Sequence, residues 1–389
     1  MLRIALLVLI SLLLIGCQRA STRGGAPPRL RVATYNVSFF ADAAGGLEAR
    51  LRTGDDKARQ VAAVIQRVRP DLILLNEFDY EPQGAAVELF LREYLGRAQG
   101  TDAAIDYPYQ FQAPVNTGVP SGLDLDGDGR TDGPADAWGF GRYPGQYGML
   151  VLSRYPIDAA RMRSFQEFLW SAMPGALRPM RPDGVTPFYP DTTWNQLRLS
   201  SKSHWDLPID TPLGRLHLLT AHPTPPVFDG DEDRNGRRNH DEIRLLSDYL
   251  DTKSGSYLID DQGVSGALQD RAQFVIAGDL NSDPLDGDSL QSAMTALLEH
   301  PRVNASFVPT SAGAGISQLN PMKLAEPPRG DRRARTSSFG LRVDYLLPSR
   351  GWRVLDGGVF WPAPDDPDAA IASASDHHLV WLDLAAEPR

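Results

Sequence analysis

Phe274-Val275-Ile276-Ala277-Gly278-Asp279-Leu280-Asn281-Ser282-Asp283-Pro284 carries four apolar residues straight into an acid, an amide and a second acid. A run that is apolar on both faces is the pattern of a strand buried within a covered sheet. A carboxylate just past such a strand projects from the sheet edge, where α/β folds place ligands. The same plan recurs along the chain. The apolar run 30–37 contains Asn36, 72–75 leads into Asn76-Glu77, 216–221 into His222, and 343–347 holds Asp344; 379–384 follows Asp376-His377, and 148–153 is a further β-rich run. Helical stripes lie between them, at 56–68 with Val61, Ala62, Val64, Ile65 and Val68 on one face, and at 241–250 with Ile243, Leu246 and Leu250. Strands mixed with helices throughout, with no solenoid repeat, predict one layered α/β domain. Gly-, Pro- and Asp-rich insertions at 113–146, 163–194 and 305–335 read as too polar for core and as decoration of a site rim.

Each polar residue alone has an ordinary explanation, because Asp and Asn terminate strands and cap helices, and a lone histidine is most often structural. Their number and order carry the argument. Taken together, Asn36, Asn76-Glu77-Phe78, Thr220-Ala221-His222-Pro223, Gly278-Asp279-Leu280-Asn281, Arg342-Val343-Asp344 and Ser375-Asp376-His377 resemble, in register, the motifs of the endonuclease/exonuclease/phosphatase superfamily, the deoxyribonuclease I-like phosphoesterases. The resemblance spans 29–384 and implies an α/β (α+β) four-layer αββα sandwich. It also implies metal-dependent hydrolysis of phosphoester bonds, with magnesium or manganese at the catalytic centre and calcium as a further candidate. Asn36, Glu77 and Asp376 match the metal positions. Asp279 matches the residue that activates the attacking water, Asn281 the amide that donates to the phosphoryl oxygen, and His377 the phosphoryl contact, with Asp344 as its orienting carboxylate. His222 matches the second histidine, and no acid that would orient it is identifiable. Independently of the resemblance, oxygen donors suit a hard cation, and phosphate ester hydrolysis needs charge neutralisation and an activated water.

Four stretches stand outside these motifs. In the aromatic, Gly-rich lead-in 138–149, Arg142 and Tyr147 either reach the substrate or pack a tight turn. Asp231, Asp233, Asn235 and Glu242 fit a calcium-loop pattern, although Pro223 to Pro226 cannot form the usual entering helix and the interleaved arginines oppose a cation; Arg237 and Asn239 are alternatively substrate-binding. Asp124, Asp126, Asp128 and Asp132 form a shorter acidic loop that lacks the closing glutamate. Ser201-Lys202-Ser203-His204-Trp205-Asp206 is strand-like; it reads as an exposed polar face, with phosphate contact by Lys202 or His204 as the alternative. His378, next to His377, is expected on the opposite face of a regular strand.

At 389 residues and 42% hydrophobic content the chain is long enough for a large core and is not a disordered protein. Its formal charge of -10 repels polyanions, which excludes broad nucleic-acid coating and requires local capture of any phosphate. Residues 1–17 read as a lipoprotein signal peptide: Arg3, an apolar run to Ile15, then Leu14-Ile15-Gly16-Cys17 resembling a bacterial lipobox. Cys17 is the single cysteine and the expected lipidation point. Residues 18–28 read as a flexible tether, and 29–389 as the catalytic domain. Gln18 after the cysteine favours the outer membrane. The expected protein is therefore an exported, lipid-anchored monomer acting on a nucleic acid, a phospholipid or a small organophosphate. The competing reading is a noncatalytic calcium-binding surface lipoprotein that uses the two acidic loops.

Overall fold

Side chains alternate between the two faces of a strand, so the parity of each buried residue shows which layer it joins. In the computed structural model, which describes residues 28–316 and 329–387, eleven strands form two sheets. The first contains β1 (Leu30–Phe39), β2 (Leu72–Phe78), β3 (Tyr109–Phe111), β4 (Met149–Ser153), β10 (Trp352–Val359) and β11 (Val380–Ala386), in the order β10-β11-β1-β2-β4-β3. The second runs β5 (Arg163–Ser164), β6 (His204–Thr211), β7 (Gly214–Ala221), β8 (Phe274–Asp279) and β9 (Asp344–Pro348) in sequence order. Only β1 with β2 and β7 with β8 pair in parallel. Their connections hold the long helices Asp56–Val68 and Arg234–Tyr249, as parallel crossovers require.

Leu30 and Val32 of β1, Leu72 and Leu74 of β2, Leu216 and Leu218 of β7, and Val275 and Ala277 of β8 interlock between the sheets. Residues of opposite parity cover the outer faces. Ala33, Tyr35, Ile73 and Leu75 pack against Val61, Val64 and Ile65 of the first helix, and Phe274, Ile276 and Leu219 pack against Ile243 and Leu246 of the second. The result is helices, sheet, sheet, helices: the expected four-layer αββα sandwich.

The helix expected at 56–68 has those ends, and Asp55 caps it by accepting the Ala58 N–H at 2.9 Å. The helix expected at 241–250 begins earlier, at Arg234. The insertion 163–194 is not a polar rim: Phe165, Phe168, Trp170, Met173, Tyr189 and Trp194 are buried in the core beneath the second sheet. The expectation averages over the segment: its aromatic residues fall in short clusters, such as Phe168-Leu169-Trp170 and Phe188-Tyr189, separated by Pro, Gly and charged residues, and form no sustained strand or helix period. Cys17, the apolar segment before it and all but the last residue of the 18–28 tether lie outside the described residues. Among the described residues no helix is long and apolar enough to cross a membrane.

Candidate active site

The parity that fills the inter-sheet layer with aliphatic residues continues, at one end of the sheets, into polar ones. After Leu30, Val32 and Thr34 comes Asn36; after Leu72 and Leu74, Asn76; after Leu216, Leu218 and Thr220, His222; after Val275 and Ala277, Asp279; and before Leu346, Asp344. Five strand ends from both sheets thus aim polar groups into one buried volume. The sheets are tied there by hydrogen bonds: Asn36 Nδ2 donates to Asp279 Oδ2 at 3.0 Å, and Asp279 N to Asn76 Oδ1 at 3.2 Å. Glu77 has the wrong parity for this face, and its positive φ of 59° interrupts the alternation, so that Glu77 Oε1 accepts from Asn36 Nδ2 at 3.0 Å. Ser38, Tyr147 and Asn281 also have positive φ, a local cost of about 1–3 kcal/mol each that concentrates at functional sites.

Asp279 is the hub. Its Oδ2 lies 3.5 Å from His222 Nε2 and 3.7 Å from His377 Nε2, and its Oδ1 accepts the Asn281 N–H at 2.9 Å. His377 turns Nδ1 to Asp344 Oδ2 at 2.9 Å, which leaves Nε2 toward the shared volume. Burial opposes a charge on His377, but Asp344 and Asp279 outweigh it and hold the imidazole well above its ordinary pKa. Burial pushes Asp279 upward, against the field of His377. The second histidine behaves oppositely: burial, then Lys202 and His377, drive His222 well below its ordinary value, and its Nδ1 is buried with no partner among the described residues. The missing orienter of His222 is thus a property of the fold. Asn281 Nδ2 donates to Pro223 O at 3.1 Å, which anchors the amide beside His222.

Glu77 is half-buried, and its partial removal from water raises its pKa. Asp376 accepts from Ser38 Oγ at 3.0 Å, while Ser375 Oγ donates to Asn36 O at 2.8 Å, so the C-terminal motif docks directly on β1. The Glu77 carboxyl pushed upward is short of positive charge, the deficit that a divalent cation relieves, whereas at Asp376 burial is outweighed by His377, Ser38 and Lys57, which hold it below its ordinary value and so ionised; the donor set contains only oxygen on this side. The residues therefore fit a hard divalent metal held by Glu77 and Asp376. Asn36 turns its amide nitrogen to the carboxylates and its oxygen to Ser38 N at 3.1 Å, the arrangement of a residue that orients Glu77.

Ser38, Glu77, His222, Asp279, Asn281, Asp376 and His377 line a cavity of about 1450 Å³, with Asn36, Asn76 and Asp344 behind them. Its walls include Phe40 against Tyr147, with ring centroids 4.8 Å apart, and Trp361 stacked on His378 at 3.7 Å. Tyr147 is thus brought to the site, its N–H held by Asp79 Oδ1 at 3.0 Å. Arg142 is not: it is exposed, pairs with Asp42 at 3.0 Å, and does not line the cavity. Phe228 and Phe140 stand exposed at the mouth.

The expected calcium loop at 231–242 does not exist as a loop, because Arg234–Tyr249 is helix. Asp233 precedes it, Asn235 donates its N–H to Asp229, and Glu242 is fully buried with its two oxygens accepting Ser201 N and Thr224 N, each at 2.6 Å. A ligand set spread along a helix and committed to backbone donors cannot encircle an ion. Asn239 is buried and donates to Thr224 O and Leu280 O, so it braces the loops behind the site and does not meet substrate; Arg237 bonds Glu232 O away from the cavity. The other acidic loop is a loop: Asp124, Asp126 and Asp128 each present an oxygen within 4.8 Å of the others, whereas Asp132 pairs with Arg130. The stretch 201–206, expected as an exposed polar face, is buried throughout: Lys202 lies in the cavity wall, whereas His204 does not line the cavity and bonds Ser200 Oγ and Glu242 O.

Comparison with known proteins agrees with this geometry. The chain is similar to an endonuclease/exonuclease/phosphatase from Beutenbergia cavernae, with 20% identity, a TM-score of 0.51, and coverage of 92% of this chain and 72% of that one. Weaker likenesses are to an endonuclease/exonuclease/phosphatase family protein from Bacteroides thetaiotaomicron (13% identity, TM-score 0.47, 94% and 100% covered) and to sphingomyelinase C from Streptomyces griseocarneus (17% identity, TM-score 0.44, 92% and 99% covered). No curated protein matches the chain. The sequence model of the Endonuclease/Exonuclease/phosphatase family matches residues 33–377, which takes in every strand-end residue of the site from Asn36 to His377, and the chain belongs to that family of metal-dependent phosphoesterases.

Proposed function

We propose that this protein is an exported, lipid-anchored hydrolase of phosphoester bonds in which Asp279 activates water between two imidazoles of opposite character. The observation that carries this reading is the placement of the Asp279 carboxylate 3.5 Å from a histidine held neutral and 3.7 Å from one held cationic. In the attack, a water oxygen bonds to phosphorus and its proton passes to Asp279, whose upward-shifted pKa suits a base that must first be ionised and then take a proton. His377, charged through Asp344, and the Asn281 amide face the phosphoryl oxygens as negative charge builds there. His222 stays neutral and donates a hydrogen bond from Nε2 toward the departing oxygen as its bond to phosphorus breaks, and that oxygen takes up the proton that water gave to Asp279, so that an alcohol leaves and the carboxylate is restored. Glu77 and Asp376 would hold magnesium or manganese, which supplies positive charge at the phosphoryl group when bound. Lipidation at Cys17 and an outer-membrane address belong to the same proposal, supported by the lipobox-like segment 14–17.

A metal-supplemented screen of the purified protein against plasmid DNA, RNA, bis(p-nitrophenyl) phosphate, p-nitrophenyl phosphate and phospholipid vesicles tests the function. Hydrolysis of at least one substrate is expected, falling to background with excess chelator and returning with magnesium or manganese. Undiminished activity after rigorous metal removal contradicts the metal role. Silence on every substrate with metal present favours the noncatalytic surface lipoprotein.

A further inference from the structure

Lys202 is a buried cation without a partner. Its residue is 6% exposed, and among the described residues its ammonium takes no hydrogen bond and has no carboxylate within 4.0 Å. A charge largely withdrawn from water without a direct counter-ion is costly, and burial lowers the Lys202 pKa from its ordinary value; its ammonium reaches only the cavity. The nearest acids by field are Glu242, Glu77 and Asp279. Glu242 is already committed to two backbone donors, so it is not the intended partner. Glu77 and Asp279 line the same cavity as Lys202.

The backbone around Lys202 is fixed from several sides. Ser201 N donates to Glu242, Lys202 O accepts the Asn116 N–H at 3.0 Å, and Asn116 Nδ2 donates to Ser200 O at 2.8 Å. The loop 113–146 approaches so closely that a Cβ on Gly139 would lie 1.9 Å from Ser201 O, which only glycine allows. A long flexible side chain on a backbone held this firmly is pre-organised to meet an anion entering the cavity.

We infer that Lys202 is a substrate-binding residue whose ammonium pairs with a non-bridging phosphoryl oxygen in the cavity that Glu77 and Asp279 also line. The inference rests on the phosphoesterase reading of the cavity, and it extends the site to a cation on the β6 side. It makes one prediction that a structural lysine does not: removing the charge should spare or stabilise the free protein while weakening anion binding.

The test measures inorganic phosphate binding by calorimetry and thermal shift, with magnesium titrated separately. Lys202→Met is expected to melt no lower than wild type without phosphate and to bind phosphate at least about tenfold more weakly, the size of one charge-assisted hydrogen bond. Its magnesium affinity should stay within about twofold. Lys202→Arg, which keeps the charge, should recover most of the phosphate affinity. The inference is overturned if Lys202→Met binds phosphate as wild type does, if wild type shows no phosphate binding, or if the methionine variant melts well below wild type without phosphate. Because binding is read without turnover, a failed chelation experiment would remove the metal mechanism and leave this result standing.

Discussion

At the floor of the cavity Asp279, Asp344 and Glu77 are held on strand ends, the first two shut away from solvent and Glu77 half-buried, and all three are joined to histidine or amide partners. In the acidic loops Asp124, Asp126, Asp128 and Asp231 belong to the same residue types at similar density, but they are wholly or partly exposed, and the first three mostly accept the N–H groups of their own turn. What separates the two regions is the dielectric and the backbone. A carboxylate on a rigid strand in a dry layer has its ionisation set by a few neighbours, whereas one on a wet turn is screened and satisfied locally. The floor should therefore respond to single-atom changes and the acidic loops should hardly respond at all.

The largest effect is expected from Asp279→Asn, which keeps the size of the side chain and removes the proton acceptor. Turnover should fall by at least about a thousandfold on whichever phosphoester is accepted. Stability should move the other way. Asp279 has a folded-state pKa above its unfolded value, so its contribution favours the fold at low pH and is lost as pH rises through the folded value. In chelator, the asparagine variant should thus hold its melting temperature better than wild type as pH rises. Activity near wild type, or a marked drop in melting temperature at neutral pH, would mean that Asp279 is a structural acid like those outside the floor.

Asp344→Asn should have the next largest effect, roughly a hundredfold on turnover, since it acts on phosphate only through His377. The sharper signature is in pH. His377 is raised above its unfolded value chiefly by Asp344, so its stabilising charge is fully present below about 6.5 and is lost as pH rises through the folded pKa. Without the Asp344 charge the alkaline limb of the activity profile should move toward neutrality. An unmoved limb in a variant that is merely slower would detach His377 from the chemistry.

The floor is legible in the sequence because most of its residues obey the strand period: Asn36, Asn76, His222 and Asp279 follow, and Asp344 precedes, a buried run with the parity of the inner layer, as Ala277 leads to Asp279 and Thr220 to His222. Glu77 was found by its motif, although alternation alone would send it outward, and only its left-handed backbone returns it to the site. Lys202 was misplaced since it precedes β6 and no period applies to it; its burial comes from the loop 113–146 folding over Ser201. The aromatic core drawn from 163–194 was missed for the same physical reason, that long-range packing without a local repeat leaves no local signal.

The smallest effect is expected at Asp231, and it bears directly on how the floor differs from the acidic loops. Its sequence neighbourhood matches a calcium loop at every specified position, yet the helix beginning at Arg234 turns Asn235 and Glu242 into groups that satisfy backbone, and Asp229 takes the Asn235 N–H that would have closed the turn. Asp231 itself is exposed and holds nothing. Asp231→Ala should therefore leave turnover unchanged, shift stability by no more than about 0.5 kcal/mol, and leave any calcium heat of the protein intact. Loss of a calcium-binding event in this variant would require the first turn of the helix to unwind around the ion, and with it the Glu242 contacts that hold Ser201 and Thr224 on either side of the cavity. Calorimetry with calcium on the two proteins decides between those backbones.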